Sequence, residues 1–415
     1  MLLSVPREIL RTYSSTCVAL KARRFSQFAS RRSQTSGIFY ISPCWLHSKR
    51  QVQRSHTREN VAAHADNSSS SLRSVYQNVK ETLSRVTEKT EPISSVAELA
   101  VRYITVHSLT DFYIECPHGI LFDACYVDSH PDGVFCADLK TVVILPGSPG
   151  SHLDVLPLMR PLAKAGHRVI TVNFPGYSKT NPILATQDFL FRGATDEKSD
   201  FILNFLKELN IDRVDLMVGL GSGCYPALDL AASQTWIKSL ALVCPRGHRV
   251  FRGITPYEQF ERMARMYDNR MYRLLLILRL VVIKYIQRKW NMRHVPILHL
   301  MKYIVEVANY QFENMETNVF AVASRQLPVT FVYSGQDNAM ETEISEELAR
   351  LLNLKPEEFC RLDTNLNLIF PGKKKLSQGL YIEEGTHNPL ETQEHCDVIA
   401  LMLIDELKRT TKTSS

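Results

Sequence analysis

The sequence predicts an α/β protein: a mostly parallel sheet with helices on both faces, interrupted by a helical cap insertion. Three observations carry this. Short, wholly apolar runs such as TVVIL (141–145) alternate with helix-like segments, the pattern of strands buried on both faces of a parallel sheet. From Phe251 to about Gln326 the alternation stops and the pattern is helical, with no clear strand. It then resumes at PVTFVYSGQD (328–337), so the insertion interrupts one regular domain.

Taken in order, residues 71–105 read as helical, in SVYQNVKETLSRV and then SSVAELAVRYI. DFYIECPHGILFDACYVDS reads as an antiparallel hairpin around Pro117-His118-Gly119, because two alternating runs flank a turn. TVVIL is the first parallel strand, followed by a Gly/Pro turn and the helix-like VLPLMRPLAKAG. HRVITVN (167–173), VDLMV (214–218) and SLALV (239–243) are the next strands, separated by helix-like SDFILNFLKELN and YPALDLAAS. After the insertion, PVTFVY is followed by TEISEELARLLN, then by GLYIEEGTH and a final helix, HCDVIALMLIDEL. The expected organisation is a leader at 1–62, a linker and N-terminal helical segment at 63–107, a core at 108–250, a cap at 251–326, the second part of the core at 327–408 and a tail at 409–415.

The chain's net charge of +6 is unevenly placed. Residues 1–58 hold eleven Arg or Lys and one acid, Glu8, so the remaining residues sum to about −4. The basic character therefore belongs to the leader, and a nucleic-acid partner is not expected. The leader is Arg- and Ser-rich and acid-poor, and Leu2, Val5 and Ile9 share a helical face away from Arg7 and Arg11. This suits a mitochondrial transit peptide, with the matrix as destination; a disordered basic tail is the alternative. Nine cysteines are scattered from Cys17 to Cys396 with no C-x-x-C pair, which points to free thiols and to no metal site. No uncharged apolar run is long enough for a membrane-spanning helix. No cofactor is expected.

Four local patterns carry chemistry. They are Pro146-Gly147-Ser148-Pro149-Gly150 after the first parallel strand, Gly219-Leu220-Gly221-Ser222-Gly223 after the third, Ser334-Gly335-Gln336-Asp337 after PVTFVY, and Gly385-Thr386-His387 after the last strand. In this order, on this alternation, residues 108–408 resemble the α/β-hydrolase superfamily. The stretch LPGSPGSHLD (145–154) resembles a family of uncharacterised animal α/β-hydrolase-like proteins more closely than well-studied esterases.

The resemblance implies a role for each pattern. The first would supply an oxyanion hole, through Gly147 and Ser148 with Ser222, although Pro146 stands where the superfamily usually has His. The second occupies the nucleophile elbow, whose pattern is G-x-S-x-G, and here Gly221 takes the nucleophile's position. Asp337 matches the triad acid and His387 the general base. Three readings of the elbow compete. Gly221 has replaced the nucleophile and acyl-enzyme chemistry is lost; or Ser222 attacks in a shifted register; or GLGSGC is a phosphate-cradling loop. The last departs from its fingerprint at Cys224, in strand order and in lacking a ribose-binding acid.

The expectation is a ligand-binding or scaffold protein that has lost serine-hydrolase activity, with a small acyl or lipid-like ligand. The alternative is an active hydrolase or lyase on an ester, thioester or lipid-like acyl substrate, using Ser222 or a water activated by His387. Residues 262–293 of the cap carry nine Arg or Lys, among them Arg273, Lys284 and Arg288, with one acid, Asp268. They read either as peripheral membrane contact or as the solvated face of a cap helix.

Overall fold

A computed structural model describes residues 99–108, 113, 115–131, 139–268, 287–288, 295–363, 368–370, 372 and 377–412. The leader, the expected N-terminal helix up to residue 98 and most of the basic cap stretch, including Arg273 and Lys284, lie outside the described residues.

The described chain begins with a hairpin. Strands β1 (Val101–Ser108) and β2 (Ile120–Asp128) pair antiparallel from Val101 opposite Val127 to Ser108 opposite Ile120. Residues 101–105 are therefore strand, not part of the helix expected over 71–105, and the first arm is VRYITVHS, not DFYIEC. Its β-branched and aromatic residues suit a pleated ladder, and Val106 and Ser108 turn inward. Before β2, the Cys116 N–H bonds to the Tyr113 C=O and the Gly119 N–H to the Cys116 C=O, so the described residues there form turns, not a ladder.

The first half of the core continues as β3 (Thr141–Leu145), α1 (His152–Lys164), β4 (Arg168–Val172), a two-residue β5 (Asn181–Pro182), α2 (Thr195–Glu208), β6 (Leu216–Leu220), α3 (Cys224–Ser233) and β7 (Leu240–Val243). The cap contributes α4 (Tyr257–Asp268), α5 (Ile297–Val307) and α6 (Phe312–Ser324). The core then resumes with β8 (Val329–Ser334), α7 (Thr342–Leu351), β9 (Phe359–Leu362), β10 (Leu368–Phe370), β11 (Gln378–Ile382) and α8 (Gln393–Lys412). The sheet order is β1-β2-β4-β3-β6-β7-β8-β11-β9-β10, with β5 beside β2. The run from β4 through β9 is parallel, and antiparallel pairs occupy both ends.

The all-apolar strands are explained by burial on both sides. In β3, Val143 and Leu145 join a core shared with α2, α3, α5 and α6, while Val142 and Ile144 join a second core with α1 and α8. Among the described residues, no helix is long and apolar enough to cross a membrane. The fold brings the carboxyl ends of β3, β6, β7, β8 and β11 to one rim, where open α/β sheets gather ligand sites.

Candidate active site

Strand β6 runs two residues further than VDLMV, so Gly219 still pairs, opposite Leu145 on one side and Leu242 on the other. One tight turn, Gly221–Gly223, then leads into α3. The flanking glycines are there for space. A Cβ on Gly219 would lie 2.6 Å from Cys224 Cα, and one on Gly223 would lie 2.5 Å from the Leu145 carbonyl oxygen. The tip differs. Gly221 has φ +51°, the left-handed conformation an elbow nucleophile must hold, yet a Cβ there would meet only His387 Nε2 at 3.7 Å and Gly147 Cα at 3.9 Å. The turn has room for a side chain and carries none.

Opposite that tip stands a complete acid–base pair. Asp337 Oδ2 lies 2.6 Å from His387 Nδ1, and Oδ1 accepts the N–H groups of Ala339 at 2.8 Å and Met340 at 3.0 Å. The loops carrying the two residues are tied by Gly335 N–H to Ile382 C=O and Gln336 N–H to Gly385 C=O. Burial works to raise the Asp337 carboxyl, but the hydrogen bond and charge of His387, with the Ala339 N–H and Arg246, outweigh it and hold it below the usual carboxylate range. Burial, then the charge of Arg246, pushes His387 down, against the upward pull of Asp337. Its side chain is still 28% exposed, so solvent tempers the shift. An ionised Asp337 requires the proton on Nδ1, which leaves the Nε2 lone pair facing Gly221.

The family described as "Alpha/beta hydrolase of unknown function (DUF1057)" matches residues 103–358. The chain belongs to that α/β-hydrolase family. Its fold is similar to a putative lipase from Acinetobacter baumannii AYE, with TM-score 0.50 and 15% identity over 81% of this chain and 97% of that one. It is also similar to DBJA, with TM-score 0.51 and 12% identity over 76% of this chain and 99% of that one. At such identities the likeness speaks for the fold alone. No curated protein sequence matches the chain.

Within this hydrolase-family site, Ser222 is engaged elsewhere. It is 1% exposed, its Oγ accepts the Ser148 N–H at 2.8 Å, and it makes no hydrogen bond with His387. The shifted-register reading therefore lacks the base contact it needs, because the Ser222 side chain points to the loop after β3. The same bond corrects the expected oxyanion hole. The Ser148 amide, one of its donors, is already satisfied by a hydroxyl, while the Gly147 carbonyl closes its own turn with Gly150 N–H at 2.7 Å. The structure thus brings Gly221, Asp337 and His387 together and leaves Ser222 locking Ser148. The phosphate-loop reading fares no better, since Gly223 is packed against the backbone carbonyls of Leu145 and Pro146.

Two cations beside this hydrolase elbow were not singled out from the sequence. Lys198, on the first turn of α2, reaches Ser148 Oγ at 3.0 Å and Glu306 Oε1 at 2.7 Å, and lies over the Phe174 ring at 4.5 Å. Glu306, on cap helix α5, also accepts the Tyr177 hydroxyl at 2.9 Å. Arg246, just past β7, donates its backbone N–H to the Gly221 carbonyl at 3.3 Å, and its guanidinium lies 5.5 Å from the Phe251 ring centre. Lys198 had a findable signal: with Phe201, Ile202 and Phe205 it shares the buried i, i+3, i+4, i+7 face of α2. Arg246 had none beyond its place after a strand end.

No group of three or more His, Cys, Asp or Glu side chains gathers among the described residues as a metal would need. Cys244, at the rim end of β7, is a poor nucleophile because burial and the Asp337 charge push its thiol up to about 12. A shallow cleft lined by Pro175, Tyr177, Phe191, Tyr267, Lys302 and Val305 includes none of Gly221, Asp337 or His387.

Proposed function

We propose that the protein binds a small acyl or lipid-like ligand on an α/β-hydrolase scaffold without cleaving it by acyl-enzyme chemistry. One observation carries the reading: Gly221 holds the elbow's backbone conformation, with room for a side chain beside His387 Nε2, and offers no nucleophile. In a serine hydrolase, losing the nucleophile costs on the order of 10⁶-fold in kcat, roughly 8 kcal/mol of transition-state stabilisation. The occupied Ser148 amide supports the same conclusion, because a developing oxyanion would have to displace the Ser222 hydroxyl.

The test is incubation with an active-site fluorophosphonate, with short and medium acyl esters assayed in parallel. No labelling and no turnover are expected, and stoichiometric labelling at Ser222 would overturn the reading. A second reading rests on the intact Asp337–His387 pair, which could activate water as a general base. Ester turnover lost in His387→Ala would establish it. The mitochondrial destination rests on the composition of residues 1–62 alone, and peripheral membrane contact on the charges of residues 262–293.

A further inference from the structure

Arg246 holds a buried charge whose carboxylate neighbour, Asp337, is already hydrogen-bonded to His387. The residue is 4% exposed, and its Nε is buried without a hydrogen-bond partner. Among the described residues its guanidinium makes no hydrogen bond and no ion pair, and it lies against the face of Phe251. Its electrostatic neighbours are Tyr303 on α5, Tyr310 beyond it, Tyr225 on α3, and Asp337. Burial pushes all three phenols up, so none is anionic near neutral pH. Asp337 is already committed to His387, Ala339 and Met340. A guanidinium stays protonated under these conditions, so a full positive charge sits buried with no hydrogen-bonded carboxylate of its own. Such a charge costs several kcal/mol unless something pairs with it.

Its position indicates what that partner is. The Arg246 amide is bonded to the Gly221 carbonyl, so the residue is fixed to the elbow turn itself. That turn opens α3, whose amino end adds positive partial charge beside the side-chain-free tip. Facing it is a neutral imidazole, and the Arg246 guanidinium beside it has Tyr303 of the cap and Tyr225 of α3 as neighbours.

We propose that Arg246 and the Gly221 turn form a receptor for the carboxylate of a small or acyl-chain acid, held where a hydrolase would keep its nucleophile. One guanidinium matches one carboxylate in charge and in fork geometry. A phosphomonoester dianion would bring a second negative charge, and Lys198, the other buried cation described near the turn, is spent on Glu306. The aromatic surroundings suit an apolar tail. This inference rests on the non-catalytic reading, because a working esterase would release such an acid as product.

The experiment is calorimetric titration of the full chain with butyrate, octanoate, methyl octanoate and octyl phosphate, repeated in Arg246→Met and Arg246→Lys. Octanoate is expected to bind best. Methyl octanoate should be tenfold to hundredfold weaker, the value of a charge-assisted bond pair, and Arg246→Met should lose octanoate by a similar factor while leaving the ester unchanged. Arg246→Lys, which keeps the charge without the fork, should fall between. Equal affinity for acid and ester, undiminished octanoate binding in Arg246→Met, tighter binding of octyl phosphate, or no carboxylate binding at all would each overturn the proposal. If Arg246→Met does not fold, the wild-type chain decides by itself. Neutralising Arg246 with octanoate should raise the His387 pKa, followed by NMR, and an unmoved titration overturns the proposal. Turnover of methyl octanoate would instead count against the non-catalytic reading, so the two failures are distinguishable.

Discussion

Lys198 and Arg246 stand on either side of the Gly221 turn, both almost fully buried, and only one has a carboxylate of its own. Lys198 is 2% exposed, and its Glu306 partner is 1% exposed. That pair joins the core to cap helix α5 and, through Ser148, to the loop after β3. Arg246 is bonded to the turn only by its backbone. The difference separates two reasons for burying a charge: Lys198 serves cohesion, whereas Arg246 waits for a ligand.

The largest test of this contrast is stability. Lys198→Met leaves Glu306 buried with only the Tyr177 hydroxyl, and should cost about 3–5 kcal/mol in denaturant unfolding. Adding Glu306→Leu should restore most of it, because removing both charges leaves no ion stranded. Arg246→Met strands no partner and removes a poorly compensated buried charge, so it should be as stable as wild type or more stable by about 1–4 kcal/mol. Equal losses from the two single variants would show that Arg246 is also structural.

A second test works on the turn between the two cations. Gly221→Ser places a hydroxyl beside His387 Nε2 without a steric clash, although φ +51° strains any side chain by about 1 kcal/mol. Activity should still be small, because Ser222 holds the Ser148 amide. Gly221→Ser with Ser222→Ala frees that donor, and kcat on a butyrate ester should rise about 10²-fold over Gly221→Ser alone. Equal rates in the single and double variants would mean that the Ser148 amide does not reach a developing oxyanion.

These two regions also mark what the sequence could reveal. Gly219, Gly221, Asp337 and His387 were legible because each sits in a short pattern at a strand end, where local rules fix both backbone and direction. The Lys198–Glu306 pair was not, since its members belong to separate elements and each reads alone as a charge on a helix. Ser222 was left with competing readings for a related reason. A hydroxyl one residue from the tip can turn toward the base or toward the loop after β3, and only packing decides. The hairpin's first arm was displaced because VRYITVHS and SSVAELAVRYI overlap in pattern, and pairing with β2 settles which prevails. The short strand β9 and the edge strand β10 escaped notice because FCRL and LIF carry almost no alternation.

The smallest effect is the most specific to an Arg246 without a carboxylate of its own. Its charge helps hold the His387 pKa below that of the unfolded chain, whereas Lys198, neutralised by Glu306, has no such influence. A depressed histidine contributes stability that is present above its unfolded pKa of about 6.5 and is lost as pH falls through the lower folded value. Arg246→Met removes one cause of the depression, so His387 should titrate at higher pH and the acid-side loss should shrink. Thermal unfolding at pH 7.5 and pH 5 would measure it, with wild type falling further than Arg246→Met. Glu197 and Glu406, both pushed up to about 7 by burial, work the other way: the stability they contribute at low pH is lost as pH rises through 7. Both chains share that opposing slope, so the difference between them isolates His387. A His387 titration unchanged in Arg246→Met would place the guanidinium's field away from the elbow and remove the distinction between the two cations.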